Sequence, residues 1–301
     1  MEKSALYGTD LIVSKLCMGT ANFGTSLTPD QAHAHMDCFM EHGGNFLDTA
    51  HVYNNWVPGE TSRSEKIIGS WLKRQNRRDV ILCTKGGHFD FSEPEISRVT
   101  PEQIRIDLAE SLDYLQTDYI DLYMLHRDNP ALPVSEIMDC LSEFVQDGRV
   151  RYLACSNWSA ARTAEANDYA KRTGKPLFVV NELMWSMAAI NKDAIPSDYV
   201  VIDDNMMRLG RENGLNFMCF TALAKGYFTR RFAGRPLSDE LHRTYDNAIN
   251  EQQFESLRGL ENSEAVTRRC LRYFDEQDVV AIPIVSCSSM EQMMECIRVF
   301  E

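Results

Sequence analysis

The chain has 301 residues, of which 44% are hydrophobic and 25% charged, a balance that fits a folded globular protein and excludes a disordered or membrane-spanning one. With 44 acidic against 31 basic side chains, its formal charge of −13 argues against nucleic acid or an anionic membrane as partner. An anionic ligand such as a nucleotide would need a local basic pocket working against that field.

The first residues, Met1 to Gly8, contain no apolar core of a secretory leader, and no apolar run approaches the roughly 18 residues of a membrane span. Tyr7-Gly8-Thr9-Asp10-Leu11-Ile12-Val13 reads as a short hairpin placed to close the bottom of a barrel. Strands are expected over 16–21 and 45–50, then a helix from Ser64 with Ile67, Ile68, Trp71 and Leu72 as its apolar stripe. A strand over 80–85 precedes Thr100-Pro101-Glu102-Gln103, in which an N-cap Thr stands before Pro at N1 and Gln at N3. Ile104, Leu108, Ser111, Leu112 and Leu115 continue that helix on one face. After a strand over 120–126, Ile137, Met138, Leu141, Phe144 and Val145 form the next apolar stripe, stopped by Asp147-Gly148. Strands over 150–157, 177–184, 216–223 and 279–285 then alternate with helices over 160–172, 203–212, 263–276 and 290–299.

Several of these strands are continuously apolar, as strands buried on both faces of a parallel sheet are. Their regular alternation with helices predicts an α/β fold, a single (β/α)8 TIM barrel spanning residues 1–301. A doubly wound sheet is the rival, but its Gly-x-Gly-x-x-Gly fingerprint is missing. The long irregular stretches at 52–62, 88–99, 188–196 and 225–262 all follow strands, so they belong to the catalytic face of a barrel, and the last has room for extra helices. The nine cysteines are scattered without a Cys-x-x-Cys, which predicts reduced buried thiols in a cytoplasmic protein rather than disulfides or zinc. His33-x-His35 does not make a metal pair, because residues two apart on a helix face different ways, and no metal is expected.

Four polar residues sit at or just beyond strand ends: Asp48, Tyr53, Lys85 and His126. They come from the second, third and fourth barrel strands, whose ends converge on one mouth. A nearby ammonium favours the phenolate of a tyrosine. Asp48 would hold and aim Lys85, and His126 would orient a carbonyl or share the proton. Such a set polarises and protonates a carbonyl but supplies neither nucleophile nor metal, so the reducing equivalent must come from a cofactor.

These residues lie in segments that resemble the aldo-keto reductases: Gly19-Thr20, the run from Gly44 to Tyr53, Ser64-Glu65-Lys66-Ile67-Ile68-Gly69, Thr84-Lys85, Leu125-His126, Ser156-Asn157 and Phe220-Thr221-Ala222-Leu223. The resemblance implies an NAD(P)H-dependent oxidoreductase acting on an aldehyde, ketone or sugar carbonyl. Tyr53 is then the general acid, Asp48 and Lys85 tune it, and His126 orients the substrate. It implies further that Gly19, Thr20 and Asp48 border the cofactor, that Ser156, Asn157 and Glu182 hold the carboxamide, and that Phe220 stacks on the nicotinamide. Thr221, Leu223, Lys225 and Gly226 correspond to the loop over the pyrophosphate, and Ser286, Ser288, Gln292 and Glu295 to the adenosine end. Asn22, Trp56 and Trp185 join Tyr53 and His126 in the substrate pocket, with Phe23 adding to an aromatic mouth.

Three departures qualify the resemblance. Glu182 stands where the family usually has glutamine. The segment from Pro283 to Ser289 lacks the Lys or Arg that commonly grips the NADP 2′-phosphate, so NADP(H) is expected with NAD(H) as the alternative, and only Arg230 or Arg231 offers a substitute. Glu301 follows directly on the last helix, so the tail that often closes the pocket is expected to be absent or very short, leaving it open to sugars or bulky carbonyls. The partner implied is a small carbonyl or alcohol, and the chain is expected as a monomer or homo-oligomer. Two other readings stay open: a nucleotide-sensing regulatory subunit of the same fold, and a barrel isomerase or lyase for phosphorylated sugars that uses Ser286-Cys287-Ser288-Ser289 as a phosphate loop.

Overall fold

The structure, a computed structural model, describes residues 1–301. Two short strands, β1 (Lys3–Ala5) and β2 (Ile12–Ser14), pair antiparallel. Eight parallel strands then close a barrel: β3 (Cys17–Gly19), β4 (Phe46–Asp48), β5 (Ile81–Gly86), β6 (Ile120–Leu125), β7 (Val150–Ser156), β8 (Phe178–Met184), β9 (Asn216–Phe220) and β10 (Ala281–Val285), which returns to β3. The helices are α1 (Pro29–Glu41), α2 (Arg63–Leu72), α3 (Pro101–Leu115), α4 (Val134–Gln146), α5 (Ala160–Thr173), α6 (Asp204–Asn213), α7 (Tyr227–Phe232), α8 (Asp239–Tyr245), α9 (Ala248–Leu257), α10 (Ser263–Arg272) and α11 (Met290–Ile297). The expected TIM barrel with its hairpin is therefore present, and the stretch 225–262 carries three extra helices, α7 to α9. No helix is long and apolar enough to cross a membrane.

The local signals account for where the helices start. Thr100 accepts from the Gln103 amide at the head of α3, and Thr28 with Gln31 makes a complete capping box on α1. Gly174 and Gly214 close α5 and α6 in the left-handed conformation that glycine adopts without steric cost.

The hairpin differs from its expectation. It pairs Lys3 with Ser14 and Ala5 with Ile12, so Tyr7 to Asp10 is its turn rather than part of a strand. Leu6, Leu11 and Val13 drop into the barrel bottom, where they pack with Phe46, Ile81, Cys83, Leu122, Met124, Val180, Met218 and Ile282. Two asparagines fasten it. Asn45 Oδ1 accepts from the Ser14 amide at 2.7 Å, and its Nδ2 donates to Ile12 O. Asn216 accepts from Tyr7 N at 2.8 Å and donates to Tyr7 O and Val179 O. A second, larger core lies between the barrel wall and the surrounding helices.

Candidate active site

Strand alternation explains why the polar residues converge. The inward side chains Cys17, Phe46, Cys83, Met124, Ala154, Val180, Met218 and Ile284 all belong to the barrel-interior core. Two residues further along each strand, on the same face, stand Gly19, Asp48, Lys85, His126, Ser156, Glu182, Phe220 and Ser286. The site is the next layer above the apolar barrel filling, one residue from every strand. Gly19 belongs here because a Cβ would sit 2.6 Å from Ser286 Oγ and 2.8 Å from Ile284 Cγ2, so β3 could not approach β10.

Lys85 is fully buried at the centre of this layer. Its ammonium has three hydrogens. They go to Asp48 Oδ1 at 2.5 Å, Thr49 O at 3.1 Å and Tyr53 Oη at 3.3 Å. Glu182 Oε2 also lies 3.3 Å from Nζ, but it shares only the charge and has no hydrogen-bond partner. Burial alone would lower the Lys85 pKa; Asp48 and Glu182 outweigh it and hold the ammonium well above its ordinary value. Glu182 is pushed the other way, up to about 8, by burial and by the Asp48 carboxylate, against the pull of Lys85.

Tyr53 is pulled both ways. Burial raises its pKa, and the Lys85 charge, already paired with the Asp48 carboxylate, does not offset that. Lys85 pulls toward the phenolate as expected, but burial outweighs it and the side chain stays a neutral phenol. Because Lys85 donates to Oη, the phenolic hydrogen remains free to donate elsewhere. His126 stands edge-on to the Tyr53 ring at 5.9 Å. Burial first, then Arg127, His88 and Lys85, push its pKa well below the ordinary imidazole value. Its Nδ1 is buried without a partner, which leaves Nε2 as the ring nitrogen available to the pocket.

Above these residues opens a pocket of about 480 Å³. Its walls are aromatic, with Trp56, Phe89, Phe91 and Tyr199 around Tyr53, His88 and His126. Trp56 and Phe91 meet edge to face at 5.9 Å and remain nearly half exposed at the rim. Arg127 and Asp198 close one side through a 2.6 Å ion pair. Ser156, Asn157, Glu182 and Phe220 line the same pocket.

Other expected residues lie elsewhere. Trp185 is buried in the outer core against Phe217, Tyr273 and Phe274 and does not line the pocket. It follows directly on the end of β8, past Met184, where the chain leaves the barrel wall and its ring packs into the outer core. Phe23 is likewise core, packed with the outer layer. Asn22 donates to Cys287 O at 2.8 Å and stands beside the pocket rather than in its wall. Arg231 is committed to Glu251 and the Tyr227 hydroxyl, and Lys225 to Glu240; Arg230 is exposed and in no ion pair. Ser288 and Gln292 bond each other at the head of α11, capped by Ser289, with Ser286 exposed beside them and Glu295 one turn on. His88, Phe89, Phe91, Arg127, Asp198 and Tyr199 were not picked out from the sequence. His88 carried a signal, standing shortly after β5 much as His126 follows β6; the loop aromatics carried none.

A family model described as the aldo/keto reductase family matches residues 15–301. This chain belongs to the aldo/keto reductase family. It is 31% identical to a norsolorinic acid reductase B of Dothistroma septosporum over 72% of this chain and 55% of that protein. It is 32% identical to an aryl-alcohol dehydrogenase (NADP+) of Phanerodontia chrysosporium over 63% of this chain and 53% of that one. An uncharacterized oxidoreductase, YrpG, of Bacillus subtilis matches all of this chain and 91% of its own length at 27% identity. The chain thus spans about half the length of the first two relatives.

Members of this family bind a nicotinamide, and the residues here fit one. The carboxamide needs acceptors and donors, and Glu182, with a buried Oε2 that has no hydrogen-bond partner, lines the pocket together with Ser156 and Asn157. Asn157, Thr221, Ala224 and Lys225 all hold positive φ, between 48° and 58°, beside this wall and in the loop that leaves β9. Such strain gathers where backbone must approach a ligand. Thr221 Oγ1 in that loop is also buried without a partner.

Proposed function

We propose that this chain reduces an aromatic or other bulky carbonyl to its alcohol, or runs the reverse oxidation, using NADP(H) or NAD(H). The observation that carries the reading is the Lys85 ammonium donating to Tyr53 Oη in an aromatic pocket, which leaves the Tyr53 hydrogen free to donate to a substrate oxygen. Tyr53 protonates the carbonyl oxygen, and neutral His126 donates from Nε2 to orient it. Lys85, fixed by Asp48 and Thr49 O, stabilises the phenolate that remains after the proton leaves. Ser156, Asn157 and Glu182 would hold the carboxamide and Phe220 would cover the ring. The bound nicotinamide supplies the hydride.

The flat walls formed by Trp56, Phe89 and Phe91 favour a planar aryl group over a hydroxylated sugar, because aromatic faces and edges pack on one another. A relative named for aryl-alcohol oxidation supports the same class. The test is titration of the purified chain with NADPH and with NADH, followed by turnover of aryl aldehydes, short aliphatic aldehydes and aldoses. Binding of either nucleotide with preference for aryl aldehydes is the expected result. If neither nucleotide binds, the reading is wrong; if aldoses turn over best, the substrate class is.

A further inference from the structure

Glu182 is the one residue of the central cluster to which the proposed chemistry gives no charge-dependent task. Lys85 and Asp48 form a compensated pair, and all three ammonium hydrogens are committed. Glu182 lines the pocket and is 3% exposed, with Oε2 buried, without a hydrogen-bond partner and 3.3 Å from Lys85 Nζ. The titratable groups that face it are Asp48, Tyr53 and Lys85 across the barrel mouth, with the thiols of Cys17, Cys83 and Cys219 beneath. Lys85 is the only cation among them. An ionised Glu182 would therefore be a second anion on one positive charge, in a site too buried for water to compensate it. A glutamine here, as the family usually has, would make the same amide contacts without any charge.

We infer that Glu182 couples proton binding to the redox state of the cofactor: it is protonated when the pocket is empty or holds the uncharged reduced ring, and it releases that proton to solvent when the cationic oxidised ring is bound. The inference rests on the nicotinamide reading above. The oxidised ring would bring the missing positive charge to the carboxylate, and the reduced ring would not. Binding of the oxidised form and loss of one proton then reinforce each other, so low pH promotes departure of the oxidised cofactor and favours carbonyl reduction.

The experiment compares NADP+ with NADPH, and NAD+ with NADH, on the nucleotide-free chain between pH 5.5 and 9. Calorimetry in two buffers of different ionisation heat counts protons. The ratio of oxidised to reduced affinity cancels titration of the nucleotide phosphates. Since Glu182 in the empty site is held up to about 8, the oxidised form should gain affinity as pH rises toward 8, by up to about tenfold per pH unit, and level off above it. At pH 7 its binding should release about one proton, and that of the reduced form about none. Glu182→Gln should abolish both the slope and the release. A flat ratio in the unaltered chain, or a slope that survives Glu182→Gln, overturns the inference while leaving the reductase reading intact. Failure of both nucleotides to bind overturns both. If the variant does not fold, the proton count on the unaltered chain decides.

Discussion

At the scale of single residues, Tyr53 and Glu182 are both buried acids held neutral, for different ends. Tyr53 keeps its hydrogen because desolvation outweighs Lys85, and that hydrogen is what the proposed reduction consumes. Tyr53→Phe should lower turnover by about a hundredfold or more while leaving nucleotide affinity nearly unchanged, as steady-state rates and fluorescence titration would report. Glu182 also leaves a mark on stability. Its folded pKa lies above the ordinary carboxylate value, so the folded state binds more protons than the unfolded one once pH exceeds about 4.5. The stabilisation is complete below that point and is lost as pH rises through about 8. Glu182→Gln has no such loss, so without nucleotide its Tm should gain on the parent by several degrees between pH 5 and pH 8. Parallel melting profiles would contradict the assignment. The sequence named all four members of the Asp48–Tyr53–Lys85–His126 set because each stands at or near a strand end. It also flagged Glu182 as a departure, but the approach of two carboxyl groups to one ammonium needed coordinates.

Between elements, close approach sets the limits. A Cβ on Gly69 of α2 would lie 2.1 Å from Tyr114 O on α3. Helix propensity would favour alanine there by about 1 kcal/mol, but an obstructing backbone carbonyl cannot swing aside as a side chain can. Gly69→Ala should therefore destabilise the chain by about 1–3 kcal/mol in denaturant melts, and a stabilised variant would refute the packing argument. Asn216 does comparable work at the barrel bottom, bridging β9, β8 and the hairpin turn. Asn216→Ala leaves the Tyr7 backbone groups without their partner and should cost about 1–3 kcal/mol, with turnover per folded molecule unchanged because the site is at the opposite end. The β8–β9 region also shows how one parity assignment decides function. Glu182, two residues beyond inward Val180, falls in the site, whereas Trp185, just past the end of β8, falls in the outer core, which being large and aromatic does not reveal.

For the whole molecule, two buried imidazoles make acid a specific hazard. Burial and Arg127 hold His88 down to about 4, and the same two causes push His126 well below the ordinary imidazole value. In the unfolded chain both titrate near 6.5. Below that pH the unfolded state binds more protons, so stability is full above about 6.5 and falls as pH drops toward 4, by up to about 1.4 kcal/mol per pH unit for each histidine. Chemical denaturation at pH 7, 6 and 5 would show the fall, and His88→Gln should reduce its slope. An unchanged slope would mean that His88 is not buried neutral as the structure has it.

The amino-acid order by itself determined the barrel, because eight apolar runs separated by amphipathic helices have one economical way to bury both faces of every strand. It also placed Asp48, Lys85 and His126 at one mouth, since parallel strands of a barrel all end on the same side. What only the tertiary structure decided was everything that depends on distance and desolvation. That includes Tyr53 held as a phenol, an aromatic pocket built from loop residues with no periodic signature, Trp185 turned to the outer core and Arg231 spent on Glu251. Periodicity records which face a residue takes, whereas proton affinity and recognition depend on the neighbours that folding brings from other parts of the chain.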